Sequence, residues 1–211
     1  MSRLYTLLLG ITAALALASG GGAYAQAVTD EWSSVKLPDA PEVKPVTIDA
    51  KTTALIVMDF NKSGCSQERR PRCVVDLPHV AKLLQESRQH GLFVMHTLAG
   101  TTTVADIPDS VKPTGSEQAF KAGPDKFINS DLDKILKEHG IKTVMLVGTA
   151  ANGAELHTAS GAAMRGYKVV VPVDGMPGDT PFTEAYSLWH MTHAPASAGN
   201  ITLTKTDMVK F

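Results

Sequence analysis

Asp59 and the turn Gly148-Thr149-Ala150-Ala151-Asn152-Gly153-Ala154 hold the residues best suited to chemistry on a small molecule. Asp59 stops the apolar run Thr53-Ala-Leu-Ile-Val-Met58, so it stands at the carboxyl end of a buried strand. A carboxyl group there can act as a general acid or base, because burial favours its protonated form and moves its proton affinity toward neutral pH. The alternative is a structural cap for the next loop. The Gly148 turn comes after the apolar run Val144-Met-Leu-Val147 and opens a helix. Ligands of open parallel sheets sit at turns of this kind, outside the carboxyl ends of the strands.

Four histidines compete for attention. His157 comes shortly after Ala154 on the same helix and either lines the pocket as a group titrating near neutral pH or sits satisfied between helix and sheet. His96, at the end of a strand, has the same two readings. His190 and His193 flank Trp189 on a helix that could cover the pocket, but a pair at helical spacing without a third ligand makes a poor metal site. No metal is expected. Neither a phosphate loop nor a dinucleotide fingerprint occurs, so no cofactor is expected either.

The elements that must position these groups alternate between strand and helix. Residues 26–50 contain Pro38, Pro41 and Pro45 and read as an extended lead-in to a single domain over 51–211. Thr53–Asp59 is the first strong strand. Leu77, Val80, Leu83 and Leu84 recur at helical spacing and predict a helix that stops near His90-Gly91. Leu92–His96 is a second strand, and the Thr-, Pro- and Asp-rich stretch Gly100–Ala119 reads as a long excursion, of the kind that often forms a lid. A short helix over Asp131–His139 takes Ser130 as its N-cap. Val144–Gly148, a helix as far as Arg165, and Val169–Asp174 form a βαβ unit, followed by a helix over Tyr186–Met191 and a last strand at Ile201–Thr204. Continuous hydrophobic strands between helices imply an α/β doubly wound, Rossmann-like sandwich whose sheet is buried on both faces.

Composition restricts the partners. With a formal charge of -1 and 44% hydrophobic residues, the 211-residue chain gives no electrostatic case for nucleic acid or an anionic membrane. Arg3, the apolar run Leu4–Ala18 and the closing Ala23-Tyr24-Ala25 describe a signal peptide over residues 1–25, and hence a periplasmic or secreted protein with no membrane attachment after cleavage. Export alters the reading of Cys65 and Cys73, the two cysteines of the chain. In an oxidising compartment they close a short polar loop as a disulfide. The competing reading is a reactive Cys65 thiol activated by Arg69, Arg70 and Arg72.

Taken together, the chain resembles the isochorismatase-like family, also called the cysteine hydrolase superfamily. The matching segments are Ala54-Leu-Ile-Val-Met-Asp59-Phe60, Lys121 ahead of Phe127 with Ser130-Asp-Leu132, Val147-Gly148-Thr-Ala-Ala-Asn152, and Thr158-Ala159 before Arg165-Gly166-Tyr167. They span roughly residues 50–205 in the family's order. The resemblance implies a three-layer α/β sandwich with a mainly parallel six-stranded sheet, a homo-oligomer, and a site built from Asp, Lys and Cys. The Asp falls on Asp59 and the Lys, by spacing, on Lys121, with Lys126 as its rival. Phe60, Lys126, Thr149, Ala150, Ala154 and His157 are the implied substrate-binding residues.

One member of the triad is absent, because the nucleophile's place, counted from Gly148, holds Ala154. An alanine cannot attack a carbonyl, so a covalent thioester route through this position is excluded. The family's vinyl-ether branch is similar in having a small residue there. The expectation is a hydrolase of a small anionic molecule, cleaving a vinyl-ether or C–N bond, with Asp59 as general acid raised by burial and Lys121 orienting it. Those two influences oppose each other, since an ammonium holds a neighbouring carboxyl ionised. Backbone N–H groups of the Thr149–Ala154 turn would favour an anionic part of the ligand. The second expectation is a catalytically silent binding protein that has kept the pocket and lost the chemistry.

Overall fold

The computed structural model describes residues 27–211. The signal-peptide reading of residues 1–25 lies outside the described residues. The chain divides into a unit ending at Lys36 and a unit over Leu37–Phe211. The first contains a short 3-10 turn at Trp32–Ser34. The second carries the sheet and every candidate site residue.

Six strands form one sheet: β2 (Thr53–Met58), β3 (Phe93–Leu98), β4 (Gln118–Lys121), β5 (Thr143–Gly148), β6 (Lys168–Pro172) and β7 (Ile201–Thr204). A separate two-residue strand β1 (Val46–Thr47) pairs with β8 (Val209–Lys210). The order across the large sheet is β4-β3-β2-β5-β6-β7, and every pairing in it is parallel. Every residue of β2 is buried, as expected of a strand covered by helices on both faces. Ala54, Ile56 and Met58 join a core with the helices α2 (Leu132–Glu138), α3 (Leu156–Met164) and α4 (Pro181–His193). Leu55 and Val57 point the other way, into a core with Val80, Leu83 and Leu84 of α1 (Pro71–Gln89). The two periodicities, alternation in the strand and apolar stripes on the helices, thus build the three layers.

Chain order reverses between β2 and β5, which lie side by side at the centre. Because all six strands run the same way, their carboxyl ends share one edge, and the crevice at a reversal point is where such sheets bind ligands. Met58 and Gly148 are paired there. A Cβ on Gly148 would lie 2.5 Å from the Met58 carbonyl oxygen, so only glycine permits the two strand ends to approach this closely.

Several boundaries differ from the sequence reading. The excursion Gly100–Ala119 is no free lid: Ile107 and Val111 are buried in the α1-side core, and its end enters the edge strand β4. The helix α1 starts at Pro71, so Cys73 lies in its first turn rather than in a loop. Asp131 is the N-cap of α2, while the Ser130 hydroxyl still accepts the Leu132 N–H at 3.3 Å. Pro181 opens α4 under a Thr180 cap whose hydroxyl accepts the Thr183 N–H, a turn and more ahead of Tyr186.

Candidate active site

Asp59 is the first residue past β2 and turns the chain off the sheet edge with φ of 58°, a left-handed conformation that Asp tolerates better than most residues. Its N–H donates to the Thr97 carbonyl on the neighbouring β3 at 3.2 Å. That fixes where the side chain goes. Oδ1 accepts the Thr97 hydroxyl at 2.7 Å and Oδ2 accepts Lys126 Nζ at 2.5 Å. The Lys126 ammonium also donates to the Gly123 carbonyl at 2.8 Å. The Lys126 side chain is 0% exposed and that of Asp59 10%. Lysines normally keep the ammonium in water, and burying one is tolerated only where a counter-charge and carbonyls replace the lost hydration.

The loop that delivers Lys126 is clamped to α3. Thr158 accepts the Lys126 backbone N–H at 3.2 Å and donates to the Pro124 carbonyl at 3.1 Å. Asp125 accepts the Phe127 N–H at 2.9 Å, and its carboxylate lies 2.6 Å from where a Cβ on Gly161 would stand. The small face of α3 is therefore what lets the loop lie close enough for Lys126 to reach the sheet edge.

The lysine that meets Asp59 is thus Lys126 and not Lys121. Lys121 ends the edge strand β4, is exposed, and lines an open cleft of about 410 Å³ with Gly100, Ala122 and Asn129. Sequence spacing could not choose between them, because the chain doubles back after β4. Thr149 and Ala154 are buried at 7% and 4%, with Ala150 partly buried beside them on the same sheet edge. Phe60 is buried in the α1-side core with Leu55 and Val57. His157 is exposed on α3, so burial between helix and sheet does not describe it. His96 is buried, with Nε2 3.0 Å from Glu117. Trp189 is exposed and stacked on His193.

The Thr149–Ala150 peptide bond is cis. The turn spends much of its hydrogen bonding on the protein itself: the N–H groups of Thr149, Ala151 and Gly153 donate to the carbonyls of Met58, Pro177 and Ala150. Gly153, at φ -118° and ψ -106°, interrupts the helical path, and α3 starts only at Leu156. Receipt of an anion by a row of free amides, as the sequence suggested, is correspondingly reduced.

Three residues to which the sequence reading gave no place in this site complete the surroundings. Thr97 holds the outer side of Asp59. Arg70, buried at 8%, donates from Nη1 to the Thr149 hydroxyl and from Nε to Asp179, both at 2.8 Å. It rises from the loop closed by the Cys65–Cys73 disulfide, and the described residues contain no free cysteine. The third is Glu155, next to Ala154, 0% exposed and with neither carboxyl oxygen hydrogen-bonded. Burial raises its proton affinity well above the ordinary carboxyl range; Lys126 pulls in the opposite direction and Asp59 adds to the rise. The burial of these three was not legible in the sequence, although the arginine-rich segment between the cysteines was visible.

A carboxylate and an ammonium are thus joined at the carboxyl edge of a six-stranded, all-parallel sheet between helical layers. The isochorismatase-domain pattern matches residues 53–206, and the chain belongs to the isochorismatase family of hydrolases. Among characterised relatives it is similar to the secreted isochorismatase effector Isc1 of Verticillium dahliae, 26% identical over 159 residues, covering 69% of this chain and 84% of that protein. In structure it is similar to an isochorismatase family protein from Desulfovibrio vulgaris, with a TM-score of 0.67, 21% identity, and coverage of 74% and 95%. The N-carbamoylsarcosine amidase of Thermoplasma acidophilum superposes with a TM-score of 0.64 at 21% identity, covering 74% of this chain and 97% of that one. At these identities the solved structures speak to the fold alone.

Proposed function

We propose that this protein is an exported hydrolase of a small anionic molecule that works without a covalent enzyme intermediate. The observation that carries the reading is the Asp59–Lys126 pair, a buried ion pair at the sheet's reversal point. Ala154 stands where the superfamily's nucleophilic cysteine would be, so the attacking group is water. Asp59 accepts hydrogen bonds on both oxygens, from Thr97 and from Lys126, and is thereby set to take a proton from that water. The site role first given to Lys121 passes to Lys126, which orients Asp59 and offsets its charge. The bond cleaved is of the vinyl-ether class, in which no enzyme nucleophile is required, with C–N bonds as the alternative. An anionic part of the substrate would meet Arg70, the guanidinium that donates to the Thr149 hydroxyl and is paired with Asp179. Export is supported by the basic, apolar and Ala-Tyr-Ala pattern of residues 1–25, by the disulfide, and by similarity to a relative described as secreted. Homo-oligomerisation is expected from the family resemblance and is read by light scattering.

Turnover of a panel of enol ethers, amides and carbamoyl compounds by wild type and Asp59→Asn tests this. The substituted amide still offers Lys126 an oxygen but no longer balances its charge, so the variant is expected to fold with reduced stability and to lose turnover by at least about 100-fold. Full activity in Asp59→Asn would remove the proposal. A second reading, a silent small-molecule-binding protein, is favoured by Ala154 itself. Ligand-induced stabilisation without product across the whole panel would establish that reading in place of the first.

A further inference from the structure

The loop that turns Lys126 inward after β4 leaves a cleft of about 410 Å³ beside Gly100, two residues past β3. That volume falls in the range of sites that hold small molecules. The wall carries one cation, because Lys121 is exposed and has no carboxylate within ion-pair distance among the described residues. Asp125, the carboxylate in the same wall, is engaged with the protein: it accepts the Phe127 N–H at 2.9 Å and lies 3.8 Å from Arg165 Nη1. Ile128 is 55% exposed, with Pro124 exposed in the same wall. A lone exposed isoleucine calls for no explanation, but this one shares a concave surface with an unpaired ammonium.

The main chain around the cleft is bare. A Cβ on Gly100 or on Gly123 would meet nothing within 4 Å, and backbone without side chains lets a ligand approach closely. Asn129 is held at φ of 54°, a left-handed conformation whose cost is most often met at ligand sites. The loop beneath is stiff, since the Pro124 carbonyl accepts the Thr158 hydroxyl at 3.1 Å and the Gly123 carbonyl accepts Lys126 Nζ at 2.8 Å. A cleft already held in shape loses little entropy when it is filled.

We propose that this cleft is a second binding site, for a small carboxylate with an apolar body. Lys121 takes the carboxylate, the Asn129 amide offers a further N–H donor, and Ile128 and Pro124 cover the apolar part. The site is separate from the Asp59–Lys126 corner and meets it at one residue, Gly123. It does not rest on the hydrolytic reading.

The test titrates the full chain, ¹⁵N-labelled, with benzoate and follows the amide shifts of Gly100, Gly123 and Asn129; benzyl alcohol is the uncharged control. Benzoate is expected to saturate these shifts with a Kd on the order of 1 mM, and benzyl alcohol to bind at least about fivefold more weakly. Lys121→Met is expected to weaken benzoate by the same factor at an unchanged melting temperature. Gly123→Leu places a side chain in the open space and is expected to abolish the shifts at Gly100 and Asn129. Asp59→Asn is expected to bind benzoate as wild type does, so loss of the hydrolytic reading leaves this one standing. Shifts that do not saturate, that benzyl alcohol reproduces, or that persist unchanged in Lys121→Met overturn the inference. Saturable shifts at Asp59 and Thr149 with none at Gly100 and Gly123 overturn it as well, since they put the carboxylate at the ion-pair corner.

Discussion

At the scale of single residues, the site depends on an exchange of hydration for charge. Lys126 has no contact with water and Asp59 very little, so each is tolerable only because the other is there. Removal of one member of a buried pair costs more than the pair itself contributes, since it leaves an uncompensated charge inside the protein. Lys126→Met is therefore expected to lose activity and to lower the unfolding free energy by about 3 kcal/mol, measured by urea titration. Lys121→Met, on the exposed edge strand, is expected to change stability by less than about 0.5 kcal/mol. A Lys121 variant as damaging as the Lys126 variant would contradict the assignment. Sequence spacing placed the ammonium somewhere in Lys121–Lys126, but which lysine turns inward is decided by Thr158 and Gly161, residues far along the chain that receive the loop.

Between elements, the Cys65–Cys73 bridge matters because of what lies inside it. The loop it closes carries Arg69 and Arg70, and both reach Asp179 ahead of α4. Arg72, also within the loop, pairs with Glu184 in the first turn of α4. The exposed pairs contribute little by themselves, but the buried Arg70 contact to Thr149 links this loop to the turn after β5. With a separation of 8 residues, loss of the bridge restores unfolded-chain entropy equivalent to about 2.5 kcal/mol. The variant Cys65→Ser/Cys73→Ser is expected to show that loss in chemical denaturation, together with a raised KM because Arg70 is less firmly held. An unchanged KM in the double variant would mean that Arg70 is positioned by Asp179 alone.

For the whole molecule, stability depends on pH from both sides. Burial, helped by Glu184, pushes the Asp76 carboxyl up to about 7, against the pull of Arg72. A carboxyl whose folded value is raised contributes stability below its ordinary value of 3.8, and that contribution is lost as pH climbs toward about 7. Glu155 adds to the fall in the same direction. Glu117 behaves in the opposite sense: burial raises it, but Arg88, the Thr114 N–H and His96 outweigh burial and hold it down at about 2. Its contribution is present above its ordinary 4.5 and is lost as pH drops toward about 2. The melting temperature is expected to decline from about pH 5 to about pH 7 in wild type, and to decline less in Asp76→Asn. Glu117→Gln is expected to weaken the protein at neutral pH and to flatten its acid limb. Identical slopes for wild type and Asp76→Asn would refute the alkaline part.

What the amino-acid order settled without coordinates was whatever depends on local periodicity and local chemistry. The unbroken apolar runs of β2, β5 and β6 can only be strands buried on both faces, and their alternation with helices implies the parallel sandwich. The same holds for Asp59, since a strand that ends in a carboxylate puts it on the sheet's carboxyl edge whatever the rest does. Tertiary structure alone decided contacts made across the chain. The edge strand β4 is too short and too polar to announce itself; it exists because β3 offers it an open edge. The choice of Lys126, the grip of Thr97 on Asp59, the reach of Arg70 to Thr149 and the isolation of Glu155 all follow from which surfaces meet after the layers close. Such meetings depend on shape and desolvation summed over the whole domain, and no window of neighbouring residues contains them.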